Sequence, residues 1–132
     1  MNKNNVIARQ TKYCKEVGNI LHNEKHATNN EILVLLKKIY PKVSATTVHR
    51  VTARLAERGL IAYAPPVADG SMRYDSITES HDHFMCSHCG VLRNAMIREK
   101  IALIVEQSID DCEISGPLLI TGVCKQCSRL KR

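Results

Sequence analysis

The sequence has no tryptophan, one phenylalanine and only four tyrosines among its 132 residues. Any core must therefore be aliphatic. A row of exposed aromatics on which single-stranded bases could stack is excluded. No apolar run approaches the ~20 residues that a membrane span requires. The first residues, Met1-Asn2-Lys3-Asn4-Asn5, are polar and lack the apolar stretch of a secretory signal. The expectation is a cytoplasmic protein with no membrane association. In that compartment cysteines bind metal or do redox work instead of forming structural disulfides. The sequence also contains no HExxH run and no nucleophile motif, so an enzyme is not expected.

The charge is unevenly divided. Residues 1–66 carry 11 Lys/Arg against 4 Asp/Glu, a net of +7, whereas residues 67–132 carry 8 against 9, a net of −1. The cysteines divide the other way. Cys14 alone lies in the first half, and Cys86, Cys89, Cys112, Cys124 and Cys127 lie in the second. The cationic half suits an anionic partner, with nucleic acid the obvious candidate. The plainer reading is that the charge only aids solubility.

Val17, Ile20 and Leu21 form one face of a first helix, and a polar stretch from His22 to Ala27 follows. Thr28-Asn29-Asn30-Glu31 reads as a capping box for a second helix. Its apolar stripe is Ile32, Leu35, Leu36 and Ile39, and Pro41 closes it. Ser44 is a good N-cap for a third helix with Val48, Val51 and Leu55 inward, and Gly59 suits a left-handed C-terminal position. Two helices joined by a short turn form a helix-turn-helix. Leu60-Ile61-Ala62-Tyr63 and Met72-Arg73-Tyr74, around an Asp69-Gly70 turn, complete a hairpin of the kind that makes a winged helix. This domain is expected over residues 1–75.

Residues 76–132 have a different design. His83 to Val91 reads as strand, turn and strand around a CxxCG knuckle. Ile97, Ile101, Ile104 and Val105 mark an amphipathic helix ending near Ile109, and Leu118-Leu119-Ile120 marks a further strand. A unit of ~60 residues with an aliphatic core usually needs a staple or a partner subunit. The overall class is α+β.

Cys86-Ser87-His88-Cys89 and Cys124-Lys125-Gln126-Cys127 are two CxxC pairs with 34 residues between them. Each pair offers two corners of a tetrahedron, and together they make a closed, structural Zn²⁺ site of four thiolates. The alternative is a pair of CxxC disulfide switches. Cys14 and Cys112 read as buried or half-buried thiols, and His88 as a solvent-facing knuckle residue. In His81-Asp82-His83, a strand would place both imidazoles on one face and Asp82 on the other. Two such imidazoles suit Fe, Mn, Zn or Ni, and the plainer alternative is two polar residues on a solvated face.

Several motifs occur in order. They are Ser44-Ala45-Thr46-Thr47-Val48-His49-Arg50, Leu55-Ala56-Glu57-Arg58-Gly59-Leu60-Ile61 and Arg73-Tyr74-Asp75. His81-Asp82-His83-Phe84-Met85-Cys86-Ser87-His88-Cys89-Gly90 and Gly122-Val123-Cys124-Lys125-Gln126-Cys127 follow. Together they resemble the ferric uptake regulator (Fur) family from about Thr11 to Cys127. The resemblance implies a homodimeric, metal-dependent repressor that binds a palindromic double-stranded DNA operator. It implies an N-terminal winged helix and a small C-terminal α/β dimerisation domain with a Cys₄ zinc.

Carried over by position, the regulatory metal would be held by His26, Asp75, His81 and His83. Asn94 stands where many members place an acidic ligand, and an amide is a weaker, neutral donor. Ser80 and Gly116 stand where many members have histidines of an additional metal site, which leaves Asp82 as its remnant. Lys12, Lys15, Arg50 and Arg54 would contact phosphates. Ser44, Thr46, Thr47 and His49 would lie at the DNA, with His49 at a position that is usually Tyr. Asp75 together with the three histidines looks like the peroxide-sensing branch. The implied effector is Fe²⁺ or Mn²⁺, ahead of zinc or nickel. The alternative is a winged-helix protein with structural zinc and no metal effector.

Overall fold

A computed structural model describes residues 3–130, with side chains from residue 12 onward. Its contacts divide the chain into two units, Met1–Thr78 and Glu79–Arg132. No helix among the described residues is long and apolar enough to cross a membrane.

The first unit begins with α1 (Lys3–Glu24), β1 (His26–Thr28), α2 (Asn29–Lys37) and α3 (Ala45–Glu57). Thr28 starts α2 by the reciprocal bonds that its sequence signature predicts. Its Oγ1 accepts from the Glu31 N–H at 3.2 Å, and its own N–H donates to Glu31 Oε1 at 3.1 Å. Ser44 caps α3 by accepting from the Thr47 N–H at 3.2 Å. Val17, Leu21, Ile32, Leu36, Val48, Val51 and Leu55 bury against one another as the aliphatic core, with Tyr74 at its margin. Gly59 ends α3 at φ +71°, a conformation that costs other residues a steric penalty. Two expectations fail here. Ile39 belongs to the turn after α2 and is 51% exposed. The polar stretch His22–Ala27 is not a separate segment, because α1 runs through it to Glu24 and β1 begins at His26.

β2 (Ala62–Ala64) and β3 (Arg73–Asp75) form the hairpin. Its turn is held by Asp69 Oδ1, which accepts from the Ser71 N–H at 2.8 Å. That bond holds the exposed Asp69 carboxyl below its usual range. β1 joins the other side of β3, so the sheet order is β1-β3-β2, antiparallel throughout.

The second unit contains β4 (Asp82–Cys86), β5 (Leu92–Ala95), α4 (Arg98–Ser108), β6 (Leu119–Gly122) and α5 (Lys125–Leu130). The return strand starts at Leu92, just past the expected segment, and α5 was not anticipated. β5 pairs with β4 antiparallel across the knuckle. The chain then crosses through α4 and returns as β6, parallel to β4 on its other edge. The expected inward face of α4 is only partly realised. Ile101 and Val105 are half-buried, whereas Ile104 is 64% exposed and no α4 residue is fully buried. Cys14 is half-buried, as expected, but Cys112 is exposed because it follows the helix in the loop leading to β6.

Candidate metal centres and nucleic-acid face

The two CxxC turns converge within the second unit. One ligand atom from each of Cys86, Cys89, Cys124 and Cys127 lies within 4.8 Å of the others. Cys89 Sγ and Cys124 Sγ are 3.8 Å apart. Corners of a tetrahedron with Zn–S bonds of ~2.3 Å also stand about 3.8 Å apart, so this donor set fits zinc. The backbone prepares the charge. The N–H groups of Cys124 and Cys89 point at Cys86 Sγ, at 3.4 and 3.5 Å. These donors draw the Cys86 thiol down to about 5, the Cys124 amide contributing most. Cys127 moves the other way, to about 12, chiefly through the Cys124 sulfur and then through burial. Four sulfurs this close cannot all ionise without a cation among them. His88 is exposed, as expected of a knuckle residue.

In the first unit, His26 on β1 and Asp75 on β3 are direct cross-strand partners. His26 Nε2 lies 3.2 Å from Asp75 Oδ2. The second carboxylate oxygen accepts from the Ile77 N–H at 2.9 Å, which fixes the group's rotation. Two neighbouring ligands on an octahedral ion with bonds of ~2.1 Å would stand about 3.0 Å apart, so the pair is close to chelating geometry as it stands.

In the second unit, the rings of His81 and His83 have centroids 4.3 Å apart. His81 Nδ1 is 2.7 Å from the Glu79 carbonyl oxygen. A carbonyl only accepts, so Nδ1 holds the proton and Nε2 carries the lone pair, the arrangement of a metal-ligating histidine. Asn94 on β5 stands directly opposite His83. Directly opposed residues share a sheet face, which places the exposed amide beside that imidazole. Asp82 has a different task. It is buried, accepts from the Leu118 N–H at 2.8 Å and meets the Arg98 guanidinium at 3.3 Å. Arg98 also bonds the Gly116 carbonyl. Asp82 thus braces the approach to β6.

Helix α3 has two distinct faces. Val48, Val51, Thr52 and Leu55 are buried, while Thr46, His49 and Arg50 are exposed together with the cap Ser44. Thr47 and Arg54 are half-buried. Lys15 is exposed, and the Lys12 ammonium stands 4.2 Å above the Tyr40 ring, a cation–π position that holds it in place. Sequence reasoning missed Asn29, whose side chain bonds both Thr52 and His49. A threonine on the inner face of α3, next to Val51, was the available sign that a polar partner had to be near.

The sequence profile of the ferric uptake regulator family matches residues 6–113. The chain belongs to the ferric uptake regulator family. The peroxide operon regulator of Bacillus subtilis is 27% identical to this Fur-family chain over 121 residues, covering 83% of the chain and 77% of the relative. The Campylobacter jejuni peroxide stress regulator shares its fold with a TM-score of 0.71, at 24% identity, covering 96% of this chain and 100% of that one. The Helicobacter pylori ferric uptake regulator also gives 0.71 at 24% identity, covering 89% of this chain and 80% of that one. The structure of that H. pylori protein is described as having three functional metal binding sites. The expected α+β class and the resemblance to this family are thereby established.

Proposed function

We propose that this chain is a metal-dependent transcriptional repressor that binds operator DNA as a homodimer. Residues 1–75 bind DNA, and residues 76–132 dimerise and collect metal. The observation that carries the reading is the His26–Asp75 pair. A cross-strand imidazole and carboxylate, 3.2 Å apart on the sheet whose strands flank the helix-turn-helix in sequence, form a ready chelating pair within a Fur-family chain.

Zinc at Cys86, Cys89, Cys124 and Cys127 supplies structure only, because four thiolates leave no open position. The regulatory ion, Fe²⁺ or Mn²⁺, takes His26 and Asp75 from the first unit and His81 and His83 from the second, with Asn94 as an auxiliary donor. An ion bound by both units prefers the arrangement in which all its ligands meet, and so shifts the protein toward it. In a dimer that arrangement fixes the separation of two α3 helices against half-sites one turn apart. Lys12, Lys15, Arg50 and Arg54 contact phosphates, while Ser44, Thr46, Thr47 and His49 face the groove. Dimerisation draws support from apolar surface in the second unit. Leu103, Leu119, Ile120 and Val123 are exposed there, and β6 is an edge strand.

The test uses the whole protein, chelated or loaded with Mn²⁺, with a duplex pool selected on the loaded form. At one fixed salt concentration, loaded protein should bind the selected duplex more tightly than chelated protein. Equal binding removes the metal switch and leaves a winged-helix protein with structural zinc alone. The relatives named as peroxide regulators favour one further reading, response to peroxide through oxidation of His26 or His81. Mass spectrometry of peptides from Fe²⁺-loaded, peroxide-treated protein decides it. DNA release without added oxygen on either histidine refutes it.

A further inference from the structure

Thr52 is fully buried on the inner face of α3, yet it carries a hydroxyl. That hydroxyl lies 2.8 Å from Asn29 Oδ1, 3.1 Å from the Val48 carbonyl and 3.2 Å from the His49 carbonyl. All three are acceptors and the hydroxyl has one hydrogen, which goes to the nearest of them, the Asn29 oxygen. The structure places the Asn29 amide with its oxygen toward Thr52. Its NH₂ group faces outward and stands 3.2 Å from His49 Nδ1. An amide NH₂ only donates, so Nδ1 accepts. The neutral imidazole then carries its proton on Nε2, the nitrogen on the opposite side of the ring. Asn29 is the first residue of α2, so the helix-turn-helix packing itself sets this chain of bonds.

We infer that Thr52 and Asn29 are positioning residues that make His49 a single-donor reader of base edges, one that rejects cytosine where it touches the DNA. The inference rests on the DNA-binding reading above. In the major groove, guanine offers N7 and O6, adenine offers N7 and thymine offers O4, all acceptors for an Nε2–H. Cytosine offers only the hydrogens of its N4 amino group. A donor facing a donor leaves both without a partner, and that mismatch is the source of the rejection. The bland alternative is that Asn29 and Thr52 merely fasten α2 to α3. That role would affect stability and leave base preference unchanged.

The experiment is a selection from random duplex DNA with full-length protein loaded with Mn²⁺. It compares wild type, His49→Ala, Thr52→Val and Thr52→Ser, with thermal melts confirming that each is folded. Wild type should deplete cytosine about five-fold at one position of each half-site. His49→Ala and Thr52→Val should lose that depletion and keep the rest of the site, and Thr52→Ser, which restores the hydroxyl, should recover it. Asn29→Ala replaces Thr52→Val if the latter fails to fold. Nitrogen-15 spectra of the protein without Mn²⁺, which is paramagnetic, should show His49 in its Nε2–H form. A dominant Nδ1–H form, or an unchanged cytosine depletion in His49→Ala or Thr52→Val, overturns the inference while DNA binding stands. Wild-type protein that selects no motif overturns the DNA-binding reading and this inference with it.

Discussion

Removing the metal from the thiolate quartet should unfold the second unit and spare the first. The first unit has an aliphatic cluster running from Val17 to Tyr74. In the second, the buried apolar side chains among the described residues are Cys86, Leu92 and Cys124, two of them thiols. A buried leucine contributes about 2 kcal/mol. A structural zinc in a domain of this size contributes about 10 kcal/mol or more. Whole domains are stable by only about 5–15 kcal/mol, so loss of the ion removes most or all of what orders this unit. The assay is hydrogen exchange before and after chelation, with metal analysis confirming removal. Two reporters are the His83 N–H, which donates to the Leu118 carbonyl at 3.0 Å, and the Ser87 N–H, which donates to the Gly122 carbonyl at 2.7 Å. Both should lose protection, while amides around Leu21 and Val51 keep theirs. Cys124→Ser should reproduce the pattern. Full protection of the β4 and β6 amides in metal-free protein would falsify the reasoning.

Acid should release the same ion. Cys86 titrates near 5 when folded, against 9.0 for an ordinary thiol, so its contribution is complete above about 9.0, fades as pH falls, and is gone below about 5. Cys127, raised to about 12, acts oppositely: its contribution is complete below 9.0 and lost as pH rises toward 12. Protons and zinc compete for the same sulfurs, so a chromogenic zinc dye should report release that grows as pH falls toward and below 5, and release that does not change with pH would contradict it. Asp82→Ala should cost about 2 kcal/mol in a urea melt, because it strands the Leu118 N–H and the Arg98 guanidinium. A loss under 0.5 kcal/mol, on the order of a surface substitution, would mean that the brace is idle. Thr28→Ala should cost about 1 kcal/mol through the broken capping box, with Thr28→Ser recovering most of it.

The elements read correctly from sequence are those whose cause is local. Thr28 and Ser44 announce their helices because a cap needs only the next three residues, and both cap bonds form as the spacing predicts. β1 left no such mark. His26-Ala27-Thr28 is too short for alternation and is a strand only because β3, 47 positions away in register, pairs with it. The same pairing brings His26 to Asp75, which is why that pair was accessible through family resemblance and not through spacing. The exposed Ile104 makes a related point. Periodicity identifies the apolar stripe of α4 but does not say what covers it. The CxxC pairs needed no such help, because each ligand turn is local and the thiolate count alone calls for a closed tetrahedron.

The state of the ligands before metal arrives bears on how the proposed switch would work. His26 and Asp75 already stand 3.2 Å apart, and the Ile77 N–H holds the carboxylate in place. The His81 tautomer is likewise set within its own unit by the Glu79 carbonyl. Little binding energy is therefore needed to organise either pair. An ion that met only one pair would have two protein ligands, and one that met both would have four. The difference in affinity between those two states is the only energy available to bias the arrangement of the units. Local preorganisation would raise the fraction of that energy that reaches α3 in the proposed switch, because little is lost to side-chain ordering. Changes that loosen one pair, such as loss of the Ile77 bond, would weaken the metal's effect on DNA by no more than they weaken metal binding in the four-ligand state.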